Sequence, residues 1–253
     1  MIAAIVFGLV VGALLGLVGG GGSILAVPAL VYGVGMPLSA AVPSSLLVVG
    51  SSSAIAVLPR LRKAVDWPLA LIMGASGAAT AFAGTAVNKM LDQKILLLVF
   101  ALLMVLAGIR MLLPTTPREG RDRTPDGRIR WGRYLPKALA TGTIVGFLTG
   151  LLGVGGGFLI VPALVLVLGL TMARSVGTSL VIIVINSIGG LASHWGRLDL
   201  DWGVTGAFAI CAMAASFLAG RLGRNLPDVV LKRGFAVLVL IVAAYVAYMA
   251  LAA

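Results

Sequence analysis

Residues 8–46 and 142–180 repeat one another at a constant offset, with 19 of 39 aligned pairs identical and no gap. In the first copy Gly16-Leu17-Val18-Gly19-Gly20-Gly21-Gly22 precedes Leu25, Val27-Pro28-Ala29-Leu30-Val31 and Gly35. In the second, Gly150-Leu151-Leu152-Gly153-Val154-Gly155-Gly156-Gly157 precedes Leu159, Val161-Pro162-Ala163-Leu164-Val165 and Gly169. Biased composition gives scattered Gly and Leu matches, but not a shared five-residue string at a fixed distance from a glycine cluster. Two copies of one glycine-broken apolar unit make two similar halves, the plan of transporters built from internal repeats.

Hydrophobic residues make up 60% of the chain and charged residues 11%. So little polar side chain cannot cover a water-facing surface, so lipid is the expected solvent. The formal charge of +11 would point to nucleic acid in a soluble protein. Here the basic residues fall between apolar runs, as cytoplasmic loops require, and no nucleic-acid partner is expected. The single Cys211 leaves no disulfide within the chain and no Cys-based metal site. Met1-Ile2-Ala3-Ala4 lacks a basic segment and reads as the start of the first membrane stretch.

Apolar stretches run over about 2–18, 23–34, 40–58, 67–88 and 94–113, then 136–152, 158–169, 175–192, 202–220 and 234–252. Residues 114–135 between them carry the Pro, Arg, Asp and Gly of an exposed cytoplasmic linker. The expected domains are therefore an N-terminal transmembrane repeat over 1–113 and a C-terminal one over 136–253. Stretches 23–34 and 158–169 have only 12 residues each, roughly 18 Å of helix, too short to cross alone. Each could pair with the stretch before it as a re-entrant hairpin, which glycine permits where protein shields the backbone.

Five passes per half, counting the short ones, invert the second half relative to the first. With the N-terminus outside, 16 of 19 basic residues are then inside, leaving Lys89, Lys94 and Arg197 outside. A parallel four-plus-four arrangement puts only 12 inside, so the inverted one is expected. The expected fold is an all-α polytopic membrane protein of two homologous inverted repeats. Each has a glycine-rich broken or re-entrant helix pair and three spanning helices, and the two glycine turns approach each other near the midplane.

Gly19, Gly20, Gly21 and Gly22, with Gly153, Gly155, Gly156 and Gly157, are the leading candidates for a site. Each cluster precedes a helix start, where unpaired N–H groups and the positive dipole end favour an anion. Successive glycine amides can also converge on a small oxyanion. Ser23 could cap the first short helix or touch a ligand. One cluster alone reads as a packed turn; two inverted copies favour a binding site. Gly8, Gly12 and Gly16 recur as Gly142, Gly146 and Gly150, a spacing by four that reads as helix packing. Ser44 and Ser45 align with Thr178 and Ser179, and Ser51-Ser52-Ser53 ends against Asn186-Ser187. Such hydroxyls either bond back to their own helix or line a path. Asn186 is the most informative, because a buried amide finds no partner in lipid.

Glu119 is the only Glu and lies in the linker, and every Asp lies in a loop or at a segment end. A cation carrier or proton pump needs an intramembrane carboxylate, so an anion suits the chain better. Basic residues are absent from the span interiors, Lys94, Arg110 and Lys137 lying near stretch ends, and Arg60 belongs to an inner loop. Asp66-Trp67 and Asp201-Trp202 read as interface anchors. His194 has no neighbouring ligand types, which argues against metal but leaves a titrating role open. No Ser-His-Asp set, phosphate-loop lysine or zinc motif is present.

The two glycine-broken units with Pro28 and Pro162, and Gly177-Thr178-Ser179-Leu180 after the second, resemble the TauE/SafE family of sulfite and sulfonate exporters over essentially the whole chain. Pro43-Ser44 replaces Gly177-Thr178 in the first copy, so the halves need not contribute equally. The resemblance implies about eight membrane segments and movement of a small sulfur oxyanion or organosulfonate across the inner membrane, without a cofactor. The expectation is a transporter whose partners are that anion and the bilayer, with a homo-oligomer left open. An anion channel and a membrane assembly factor remain the alternatives, the second weakened by the absence of a catalytic set.

Overall fold

The computed structural model describes residues 1–61, 64–88, 90–113, 131–152, 157–193, 201–224 and 226–252, and among these it is all-helical. The helices are α1 (Ile2–Val18), α2 (Ser23–Pro28), α3 (Leu38–Val57), α4 (Trp67–Asn88) and α5 (Gln93–Leu112). They continue with α6 (Trp131–Leu152), α7 (Gly157–Pro162), α8 (Met172–Ser193), α9 (Trp202–Gly223) and α10 (Asp228–Ala252). Seven of them, α3 to α6 and α8 to α10, are long and apolar enough to cross a membrane. Helix α6 starts at Trp131, ahead of the expected apolar stretch, and carries Pro136 within it. Most of the expected linker lies outside the described residues.

Both short arms are built alike. Gly20–Gly22 forms a tight 3₁₀ turn that leads into α2, and α2 and α7 each end on a proline followed by one wide π turn, Ala29–Gly33 or Ala163–Val167. Proline lacks an N–H, which breaks the regular helical ladder, and the chain re-pairs at the longer spacing. Val34 N–H thus donates to the Ala29 carbonyl at 3.0 Å, and Leu168 N–H to Ala163 at 3.3 Å. Each arm then stops at a glycine of positive φ, 82° at Gly35 and 71° at Gly169. Met36 N–H closes back on Leu30 and Leu170 N–H on Leu164, both at 3.0 Å. That left-handed stop explains why glycine stands at both positions.

The glycine stripes choose the helix partners. Gly8, Gly12 and Gly16 of α1 lie against Phe208, Ala212 and Ser216 of α9. Gly142, Gly146 and Gly150 of α6 lie against Met73, Gly77 and Ala81 of α4. The packing role expected of these stripes is observed in both copies, with backbone meeting backbone.

Residue order fixes direction. Within α1·α9 and α4·α6, numbers rise together, so each pair runs the same way. Ser44 meets Thr205 and Ser52 meets Ser216, so α3 runs with α9. Asp66 meets Thr178 and Gly74 meets Ile185, so α4 runs with α8. Gly50 faces Ser187 while Gly190 faces Leu46, so α3 and α8 oppose. Helices α1, α3 and α9 therefore point one way and α4, α6 and α8 the other. The first arm folds back along α1, with Gly22 against Leu15 and Gly33 against Phe7. Helices α5 and α10 pair with each other in opposite directions, Gly108 against Leu240 and Leu113 against Lys232.

Candidate functional site

The first glycine turn touches the start of the second arm at Gly157. A Cβ on Gly20 would fall on the backbone of Gly157, and one on Gly157 would lie 2.6 Å from Ser23 Oγ and 3.0 Å from Ile183 Cδ1. Ile183 stands halfway along α8. Around the first turn, Gly19 (φ 74°) sits against Val176 and Ser179 of α8, and Gly21 against Phe235 and Leu238 of α10. On the second arm, Phe158 packs edge-on against Phe100 of α5, ring centroids 5.1 Å apart. Phe100, Phe158 and Phe235 are buried, so apolar rings pack beside the junction. Gly153, Gly155 and Gly156 lie outside the described residues, as does His194.

Ser23 does not cap a helix start. The helical arm already begins at Gly20, and Ser23 Oγ donates back to the Gly20 carbonyl at 2.6 Å. Ser44 and Thr178 are drawn into helix packing. Ser44 Oγ shares a 3.0 Å hydrogen bond with Thr205 Oγ1, and Thr178 Oγ1 accepts from Asp66 N–H at 3.0 Å. Ser45 and Ser179 donate to the carbonyls of Val42 (2.7 Å) and Val176 (2.9 Å), the local back-bond of membrane hydroxyls. Ser179 is nonetheless the side chain that meets Gly19.

The informative polar atoms are those without partners. Asn186 Oδ1, Ser52 Oγ and Ser53 Oγ are buried and make no hydrogen bond among the described residues. Ser52 is the repeat counterpart of Asn186. Val176, Ser179, Ile183 and Asn186 are spaced by three, four and three along α8, one helical face, and its first three members touch the glycine turns. Buried groups left unpaired are costly and occur where something else completes them. In the sequence Asn186 stands out as an amide in an apolar run; its pairing with Ser52 in the repeat was the available sign for Ser52.

The anchors and cations are more deeply involved than the sequence suggested. Asp201 caps α9 by accepting from Gly203 and Val204 N–H. Asp66 is buried at the start of α4 and accepts from Tyr134 Oη at 2.7 Å and Leu69 N–H at 3.3 Å. Arg60 is not a solvated loop residue: it is only 3% exposed, and its Nη1 donates to the Gly16 carbonyl at 2.6 Å. Gly220 and Gly223 of α9 leave the room that its guanidinium fills.

The family model described as "Sulfite exporter TauE/SafE" matches residues 4–246. The chain belongs to the TauE/SafE family. A probable membrane transporter protein of Xylella fastidiosa (strain 9a5c) is 33% identical, over 97% of this chain and 94% of the relative. YunE of Bacillus subtilis, also described as a probable membrane transporter protein, is 28% identical over 87% of this chain and 85% of its own length. MJ0441 of Methanocaldococcus jannaschii, described in the same words, is 31% identical over 75% and 70%. No solved structure gives a significant match. With seven helices long and apolar enough to cross a membrane among the described residues, this TauE/SafE chain is a multi-pass membrane protein and a membrane transporter.

Proposed function

We propose that the protein is a carrier of a small anion, sulfite or an organosulfonate, and not an enzyme. Its halves, 1–113 and 136–253 joined by a cytoplasmic linker over 114–135, act as inverted repeats. The contact between Gly20 and Gly157 carries this reading. It joins the two copies of the motif at the centre of the bundle, where inverted-repeat transporters hold their substrate. The opposite directions of α3 and α8 support the inversion.

In this reading the first N–H groups of each glycine-led arm lack partners within their helix and face the anion. Gly20, Gly21 and Gly22 supply them in the first arm and Gly153, Gly155, Gly156 and Gly157 in the second, while the Gly19 N–H is taken by the Leu15 carbonyl at 2.9 Å. Ser179, Asn186 and Ser52 complete the proposed set. A half-turn of the Asn186 amide presents its NH2 group to a bound oxygen. Gly35 and Gly169 are hinges at which each arm can swing as the halves alternate access. Sulfite exchanges a proton near neutral pH, so the substrate brings its own, and no membrane carboxylate is required.

Flux of labelled sulfite and of organosulfonates into proteoliposomes tests this. A carrier saturates and moves anion uphill when driven by a counter-gradient; flux that only runs downhill and stays linear in concentration indicates a channel. Uptake should follow the monoanion as pH varies. Asn186→Ala should raise the half-saturating concentration by about tenfold or more, the scale of one lost hydrogen bond to a charged group, without altering that pH profile. An unchanged affinity in Asn186→Ala removes it from the site.

A further inference from the structure

At the ends of α3 and α9 lies a cavity of about 690 Å³. Leu58, Arg60, Ala64, Ala173, Arg224 and Leu231 are among the residues that line it. Arg60 enters from the protein side, buried, and Arg224 from the exposed side. A guanidinium has five N–H donors, and the described residues take one of Arg60's, through the Gly16 carbonyl. Neither arginine is ion-paired among the described residues. Asp228 accepts from the amides of Met172 (3.3 Å) and Ala173 (3.2 Å) and Asp66 from Tyr134 and Leu69, and neither carboxylate pairs with Arg60 or Arg224 among the described residues.

A buried cation without a counter-charge is strongly unfavourable unless an anion completes it. The planar fork of an arginine fits an oxyanion with two or three coplanar acceptors. Gly220 and Gly223 fix its position, because a Cβ there would lie 3.4 Å from Nη1 and 2.8 Å from Nη2. We infer that the cavity between Arg60 and Arg224 is a second anion site at the cytoplasmic mouth of the protein, taking the non-bridging oxygens of a sulfonate, a phosphate or a lipid phosphodiester. The group belongs either to a free anion or to an anionic lipid head. Its role as the point where transported anion is first captured rests on the proposed carrier function; the binding itself does not.

The test is local to the cavity. In the full-length protein carrying Cys211→Ala and Ala173→Cys, alkylation of residue 173 by a neutral reagent is timed in phosphatidylcholine-doped micelles. Methanesulfonate, inorganic phosphate or phosphatidylglycerol is then added. Saturating anion should slow the reaction at least about fivefold, the scale of a typical coupling between ligands. Arg224→Gln should shift the half-protecting concentration about fivefold upward, and Arg60→Gln further. Arg60→Lys should recover part of the loss, as a point charge without the fork. Protection by the free anions assigns a solute site, and protection by phosphatidylglycerol alone a lipid phosphate; both uphold the inference. Protection by none of them, or protection indifferent to Arg224→Gln, overturns it. Sulfite flux measured beside it separates the two readings: arginine-dependent protection without flux leaves this site standing alone, and flux without protection removes it alone.

Discussion

Gly20→Ala should abolish most sulfite flux while Gly21→Ala leaves most of it. The added methyl on Gly20 meets the backbone of Gly157, which cannot rotate away. On Gly21 it meets the far end of Leu238 at 3.2 Å, a flexible side chain that can yield. Overpacking of this kind destabilises by about 1–3 kcal/mol. Taken from the state that holds the anion, that is a loss of roughly 5- to 150-fold in affinity. Saturation curves in proteoliposomes read the difference directly, with reconstituted amount as the check on folding. Equal flux in Gly20→Ala and wild type would mean that contact between the turns has no part in transport.

The largest loss of stability should come from Gly146→Leu. Gly146 packs against the backbone of Gly77, so α4 and α6 meet with nothing between them. In lipid, close packing is what holds helices together, because there is no hydrophobic gain on association. A leucine there separates the pair and should lower stability by about 3 kcal/mol. Gly234→Leu adds the same side chain where a new Cβ meets nothing within 4 Å. It should be neutral or slightly stabilising, since glycine is the poorer helix former. Thermal unfolding in detergent compares the two; a Gly146→Leu protein as stable as Gly234→Leu would contradict the assigned packing.

The repeat made the outline of the fold legible, because Val-Pro-Ala-Leu-Val beside a glycine cluster is a local pattern, and local pattern determines both short arms. The stripe Gly8-Gly12-Gly16 announced a close helix contact but could not say with which helix, since α9 lies far along the chain. The candidate site was legible in part. Asn186 stood out because an amide in an apolar run needs a partner. Ser44 and Thr178 looked like lining, yet they serve α9 and α4, which single-segment spacing cannot reveal. Arg60 was missed for the same reason. It follows Leu58-Pro59 as a loop cation would, and its burial depends on Gly220 and Gly223 at the end of another helix.

Side-specific labelling of single cysteines tests the opposed orientation of the halves most directly. In a Cys211→Ala background, Met90→Cys reports the connection between α4 and α5, and Leu226→Cys the equivalent connection between α9 and α10. Both positions are exposed, Met90 at 85% and Leu226 at 40%, so a membrane-impermeant reagent reaches either from its own side. Leu61→Cys marks the loop after α3. Leu226→Cys and Leu61→Cys should react only from the cytoplasm and Met90→Cys only from outside. If Met90→Cys and Leu226→Cys react from the same face, the halves are parallel and the two turns do not enter from opposite sides.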